Sequence, residues 1–267
     1  MKHKDEIIEK PRDPETDFVT IETHLCIVPI IKDEKKFPES IVGTGFLVEY
    51  NGLSYIITVK HVIKDLSDPI IMFSDKKLSL MPIGISVLNN FEIDWVDHPK
   101  GLDLVAIPII LPKSIDKLIG NRHFQIKKIV KPEYIKPNSS VKHMGFGGKR
   151  TGRNKKTKKP MATPAGIFGR FISYDDKEIL IYSSAEDGDS GGPLFVKESS
   201  KTGALIGIIR TTSKSTKITN PQDGEYTGST TAIPISHIYE ILESKKMKTQ
   251  LVIGKQRVKE LNDRMLD

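Results

Sequence analysis

Residues 188–193 read Gly188-Asp189-Ser190-Gly191-Gly192-Pro193. A serine held between glycines sits on backbone that bulkier residues would block, because glycine takes positive φ without strain and lets a second main chain approach closely. N–H groups on such a turn can converge on one point and hold a developing oxyanion. A serine hydroxyl is a poor nucleophile until a base removes its proton. The hexapeptide therefore directs the reading upstream, to a base and to a group that orients the base.

Histidine is the usual base, since it titrates near neutrality. His61 ends the run Tyr55-Ile56-Ile57-Thr58-Val59-Lys60-His61, just past an apolar strand. Gly43-Thr44-Gly45-Phe46-Leu47-Val48 lies upstream and could pair with that strand as a hairpin. Asp103, in Gly101-Leu102-Asp103-Leu104-Val105-Ala106-Ile107, is a single acid opening another apolar strand. Taken singly, each has a plain structural reading, as a structural histidine or a solvated strand-end acid. Taken together with Ser190, they supply nucleophile, base and orienter in the chain order His, Asp, Ser.

With these residues the chain resembles the trypsin/chymotrypsin-like serine peptidases, and its lack of cysteine pairs is similar to intracellular prokaryotic members. The matching pieces are residues 43–48, 57–62, 102–107, 145–147, 188–193 and 207–212. The resemblance implies an all-β fold of two six-stranded antiparallel β-barrels with a C-terminal helix, and a site between the barrels. It implies His61 as general base then general acid, Asp103 as its orienter, Ser190 as nucleophile, and the N–H groups of Gly188 and Ser190 as the oxyanion hole. Substrate would bind along Arg210, Thr211 and Thr212 as an added strand. Ser184 would lie at the base of the specificity pocket, with Asp187 at its mouth and Gly228 on its far wall. A neutral Ser184 implies no preference for Lys or Arg. Where the family has a small residue near the aspartate, this chain has Arg210, which could pair with Asp103 or, with a one-residue slip or an outward rotamer, face solvent; the second is the favoured expectation. Asp189 needs a cation in place of a freshly cut N-terminus, and His143 is the expected partner, with Lys142 and Arg210 in reserve.

Texture along the chain agrees with an all-β fold. Short Val-, Ile-, Thr- and Phe-rich runs are punctuated by Gly, Pro, Asn and Asp. The expected organisation is an extension over residues 1–17, a first barrel over 18–112, a linker over 113–137, a second barrel over 138–234, and a helix and tail over 235–267. Strands are expected at Phe18–Ile31 and at Leu104–Ile110, among others, and a helical turn at Ser114–Leu118. Helices are expected near Ile235–Lys245 and Lys255–Met265 from their apolar spacing.

Composition excludes several classes. One cysteine, Cys26, rules out an intrachain disulfide and fits a reducing compartment. The N-terminus lacks the apolar core of a secretory signal, and no stretch reaches the ~18 apolar residues of a membrane span. The expected location is the cytoplasm. No metal ligand spacing is visible, so neither metal nor cofactor is expected, and His98 reads as a surface-loop residue. The net charge of +7 equals the seven cations Lys149, Arg150, Arg153, Lys155, Lys156, Lys158 and Lys159, which lie within residues 149–160 without an acid. That stretch reads as a solvated loop, as a dock for an acidic or activating partner, or as a nucleic-acid contact without interleaved aromatics. A protein or peptide substrate is the first expected partner. A binding module on a peptidase scaffold, inactive or latent, is the alternative reading.

Overall fold

The computed structural model describes residues 21–74, 80–89, 94–111, 119–126, 130–147, 151–153, 160–162, 164–197, 203–213, 218–220, 224–226 and 228–264. A short helix α1 (Ile21–His24) leads into β1 (Ile27–Ile31), so the strand expected from Phe18 begins nine residues later. Then follow β2 (Ile41–Tyr50), β3 (Leu53–Thr58), α2 (Lys60–Ile63), β4 (Ile70–Ser74), β5 (Leu80–Gly84), α3 (Ile85–Asn89), β6 (Val96–Asp97), β7 (Val105–Ile109) and β8 (Phe124–Gln125). These pair in the order β5-β4-β1-β2-β3-β7-β6, all antiparallel, with β8 added parallel to β2. The ladder of this first half does not close among the described residues, whereas the second half does close.

That second half comprises β9 (Ser140–Gly145), β10 (Thr151–Arg153), β11 (Pro160–Ala162), β12 (Ala165–Tyr174), β13 (Ile179–Tyr182), β14 (Pro193–Lys197), β15 (Gly203–Ser213), β16 (Ile218–Asn220), β17 (Gly224–Tyr226) and β18 (Ser229–Pro234). Six of them form a closed antiparallel barrel, β12-β13-β18-β15-β14-β9. β10 and β11 pair as a separate ladder that flanks the basic run. Lys149, Arg150, Lys155, Lys156, Lys158 and Lys159 lie outside the described residues, as does the helical turn expected at Ser114–Leu118. Two helices end the chain, α4 (His237–Leu242) and α5 (Lys245–Arg264). The first is shorter than its apolar spacing suggested. The second is longer, because Met247 and Val258 carry its buried face back to the turn after α4.

Two cores hold the fold. One fills the second barrel, from Val141, Phe171, Ile181, Leu194, Ile206 and Ile209. The other fills the first half and runs across to the second through Phe195, Leu205, Ile208 and Ile233. Phe124, from the stretch read as a linker, sits edge-on to Phe46 at 5.9 Å and against Phe195 at 5.5 Å. Each such ring pair adds about 0.5–1.5 kcal/mol beyond area burial. Phe124 is thus packed between strands of the two halves. On the outer side, Ile238, Ile241 and Leu242 of α4 are buried, and Tyr50 Oη donates to Glu243 at 2.5 Å.

Candidate active site

β3 ends at Thr58, and the chain turns at once into α2, whose second residue is His61. The loop before β7 brings Asp103 beneath it. Asp103 Oδ1 accepts the backbone N–H of His61 at 2.9 Å, and Oδ2 lies 2.6 Å from His61 Nδ1. The carboxylate therefore fixes both the main chain and the ring of the same residue. Burial pushes the Asp103 carboxyl up, but hydrogen bonds from the His61 ring and N–H, together with the nearby charges of His61 and Arg210, outweigh it and hold its pKa below the usual carboxylate value.

Ser190 comes from the other half, on the turn between Ser183 and β14. Gly188 has φ +103° and Gly191 has φ +89°, a region L side chains rarely adopt. A Cβ on Gly191 would also collide with Thr44 O and Thr58 Oγ1. Within the turn, the N–H groups of Asp189, Gly191 and Gly192 donate to Glu186 O, Ile209 O and Asp189 O at 3.0, 2.7 and 2.9 Å. Among the described residues, the N–H groups of Gly188 and Ser190 donate to no protein acceptor. These are the two N–H groups the resemblance assigns to an oxyanion. Ser190 Oγ donates to Arg210 O at 3.2 Å.

Thr44 ties this turn to the first half, a role the sequence reading missed. Its N–H donates to Ser190 O at 2.8 Å, its Oγ1 donates to Gly188 O at 2.6 Å, and the same Oγ1 accepts the Phe146 N–H at 3.0 Å. Thr58 Oγ1 donates to Thr44 O at 2.8 Å. A buried threonine in Gly43-Thr44-Gly45 between two glycines was the available signal.

Asp189 is fully buried. Its carboxylate accepts the N–H of Gly147 on Oδ1 at 2.7 Å and that of Glu186 on Oδ2 at 2.9 Å. A Cβ at Gly145 or Gly147 would strike that carboxylate, which accounts for the two glycines around Phe146. His143, the expected cation partner, is buried with Nε2 2.8 Å from Ser183 Oγ. Lys142 Nζ lies 4.9 Å from the Phe168 ring centre.

The residues expected around the substrate divide between pocket and strand. Ser184 is exposed, and Asp187 is exposed on the turn. Gly228 is buried, with φ +153°, and its carbonyl accepts the Ser183 N–H at 3.3 Å, so it stands beside the Ser183-Ser184 segment. Arg210, Thr211 and Thr212 lie on β15, where the register with β18 shifts between Ile209 and Thr211. At that irregularity the partly exposed Arg210 side chain reaches Asp103, the pairing alternative of the sequence reading, rather than turning wholly to solvent. Its Nε lies 4.0 Å from Asp103 Oδ2, and its Nη1 lies 3.4 Å from Glu178 Oε2.

A second polar cluster lies beyond the Asp103 loop. His98, expected at the surface, is buried, because α4 packs over it. Its Nε2 is 3.6 Å from Glu240 Oε2, while His237 Nδ1 is 3.0 Å from Glu240 Oε1 and Lys100 Nζ is 2.8 Å from Glu240 Oε2. His98, His237 and Glu240 have donor atoms close enough to be considered as metal ligands. The Lys100 N–H donates to His98 Nδ1, however, which leaves the proton on Nε2, the atom a metal would need. Lys100 and His237 hold the Glu240 carboxylate, while the buried His98 Nε2 stands 3.6 Å from it without a hydrogen bond.

No protein-family model matches the sequence, and no curated protein matches it. Solved structures do share its fold. The apo MamO protease domain of Magnetospirillum magneticum superposes with a TM-score of 0.57 at 16% identity, over 85% of this chain and 100% of that one. A serine endoprotease from Yersinia pestis superposes over 85% of this chain with a TM-score of 0.53 at 17% identity. An HtrA-type protease, AlgW carrying a serine-to-alanine substitution, with a decapeptide, superposes over 84% with a TM-score of 0.52 at 14% identity. The match spans 64% of the length of each of the last two. At these identities the likeness is one of fold, and the fold is that of serine proteases. No helix among the described residues is long and apolar enough to cross a membrane.

Proposed function

We propose that the protein is a serine endopeptidase that works through an acyl-enzyme. The reading rests on one observation above the rest: Asp103 grips both the ring and the backbone N–H of His61, 2.6 and 2.9 Å away. That geometry leaves Nε2 as the ring atom free to take a proton, at the seam where Ser190 stands. In this reading Ser190 Oγ swings from Arg210 O to His61 Nε2, which removes its proton as Oγ attacks the scissile carbonyl. Gly188 and Ser190 N–H hold the oxyanion. The imidazolium, stabilised by Asp103, then protonates the leaving amine. Water repeats the sequence on the acyl-enzyme, with the proton passing through His61 again.

Substrate lies along β15. β14 pairs with β15 only as far as Ile208, and the turn takes Ile209. From Arg210 onward that edge has no paired strand among the described residues, and in this reading an extended peptide adds to it, beginning at Ser190. The residue giving the scissile carbonyl points its side chain toward Ser184 and Gly228, with Asp187 at the rim. One observation favours a latent form of the same enzyme, namely that the Ser190 hydroxyl rests on Arg210 O. A substrate N–H arriving at that carbonyl, or a partner at the basic run 149–160, completes the site. A cytoplasmic location fits the single cysteine.

Labelling by a fluorophosphonate probe tests the reading. Wild-type protein takes up the label, with or without a peptide activator, and Ser190→Ala does not. Folded wild-type protein that stays unlabelled under both conditions overturns it.

A further inference from the structure

The guanidinium of Arg210 is poorly matched by the protein around it. It is 44% exposed, its one side-chain hydrogen bond among the described residues is the 3.4 Å contact to Glu178, and its approach to Asp103 is 4.0 Å from Nε. A guanidinium offers five donors in a planar fork suited to a carboxylate. With the side chain 44% exposed, donors of that fork remain open to a ligand. Glu178, also partly exposed, sits on the turn before β13, where Asp175 Oδ1 accepts the N–H groups of Lys177 and Glu178 at 2.7 and 2.8 Å. The turn is ordered by its own hydrogen bonds and does not depend on the Arg210 contact.

Position gives this cation its meaning. The carbonyl of Arg210 starts the open edge of β15, and its side chain reaches back to the carboxylate under His61. In an extended strand successive side chains point to opposite faces. If the residue giving the scissile carbonyl points toward Ser184, the one before it points toward His61 and Arg210. Among the described residues expected to line the specificity pocket, Ser184 is neutral, and Glu186 and Asp187 beside it are acidic.

We propose that Arg210 is a specificity-determining residue, whose guanidinium receives a substrate carboxylate, so that the enzyme selects peptides with Asp or Glu immediately before the residue that supplies the scissile carbonyl. This rests on the endopeptidase reading. Glu178 holds the guanidinium in place when no substrate is bound and competes with the incoming carboxylate. A two-pronged contact replaces one long hydrogen bond, and charge-assisted pairs of that kind discriminate by about tenfold.

The test uses three fluorogenic peptides differing only at that position, carrying Glu, Gln or Lys, and reads the ratio of their kcat/KM values. Wild type prefers Glu to Gln by about tenfold and rejects Lys further. Arg210→Gln brings the Glu-to-Gln ratio to about one, Arg210→Lys restores part of it, and Glu178→Gln increases it. Raised salt lowers the wild-type ratio. A wild type that cleaves all three peptides equally, or an Arg210→Gln variant that keeps the preference, overturns the proposal. Fluorophosphonate labelling of each variant separates the two layers. Loss of labelling in wild type defeats the endopeptidase reading, whereas labelling without charge preference defeats only the role of Arg210.

Discussion

Thr44 Oγ1 donates to Gly188 O at 2.6 Å, across 144 residues of sequence. The first half of the fold thereby fixes the peptide plane that lies between the N–H groups of Gly188 and Ser190, the proposed oxyanion donors. Thr44→Val keeps the shape but strands two buried groups, Gly188 O and the Phe146 N–H. Each costs about 1–3 kcal/mol. Urea unfolding is expected to show a loss of about 2–5 kcal/mol, with kcat falling in the fraction that remains folded. Thr44→Ser, which keeps the hydroxyl, is expected to recover most of both. An unchanged kcat in folded Thr44→Val shows that the oxyanion turn holds itself.

Removing the nucleophile or its orienter separates chemistry from fold. Ser190→Ala is expected to lower kcat by about 10⁴–10⁶, and Asp103→Asn by about 10⁴ through loss of the correct His61 tautomer. Stability responds differently. Asp103 has its folded pKa held below the ordinary 3.8, so its contribution is present above that value and lost as pH falls through the folded pKa. Urea midpoints of wild type and Asp103→Asn therefore converge toward pH 3. Midpoints that stay equally far apart from pH 7 to pH 3 dissociate the carboxylate from that stability.

His98 makes the opposite demand on pH. Burial is the main cause that puts its pKa below the ordinary 6.5; Glu240 pushes it up, and His237 and Lys100 push it down. The unfolded chain therefore takes up the proton more readily than the folded one. Stability is full above pH 6.5 and is lost as pH falls below it. His98→Gln is expected to destabilise more at pH 7.5 than at pH 5.5, as read by thermal melting. A gap that widens on acidification instead means that protonated His98 is held by Glu240.

Gly147 is tied to Asp189 by sterics as well as by its N–H. Gly147→Ala drives a methyl into the Asp189 carboxylate. Overpacking of this kind costs about 1–3 kcal/mol, and the displaced carboxylate drags the Ser190 turn with it. Fluorophosphonate labelling is expected to slow at least tenfold while far-UV circular dichroism stays native. Normal labelling in this variant uncouples residues 145–147 from the nucleophile turn.

Much of the candidate site is legible in the chain alone, and the reason is chemical. A nucleophilic serine needs glycines around it, a base needs to be histidine, and an orienter needs to be a carboxylate, so Gly188–Pro193, His61 and Asp103 stand out at strand ends. The all-β class follows from short β-branched runs such as Tyr55–Thr58. The helix at Lys245–Arg264 was only half visible, because its first turns bury Met247 against distant strands rather than following a regular apolar spacing.

What sequence alone determined was the set of reactive residue types and the strands that carry them. The tertiary structure decided where their neighbours point. Arg210 faces Asp103 because the β15–β18 register shifts at that residue. His98 is buried because α4, from the far end of the chain, closes over its loop. Thr44 holds Gly188 only once the two halves have docked. Each of these is a long-range contact set by packing between elements, and no local pattern of side chains encodes it. The turn at Gly188–Pro193 marks Ser190 as a candidate nucleophile, but its geometry is borrowed from Thr44, Gly147 and Ile209, which reach it only in the folded chain.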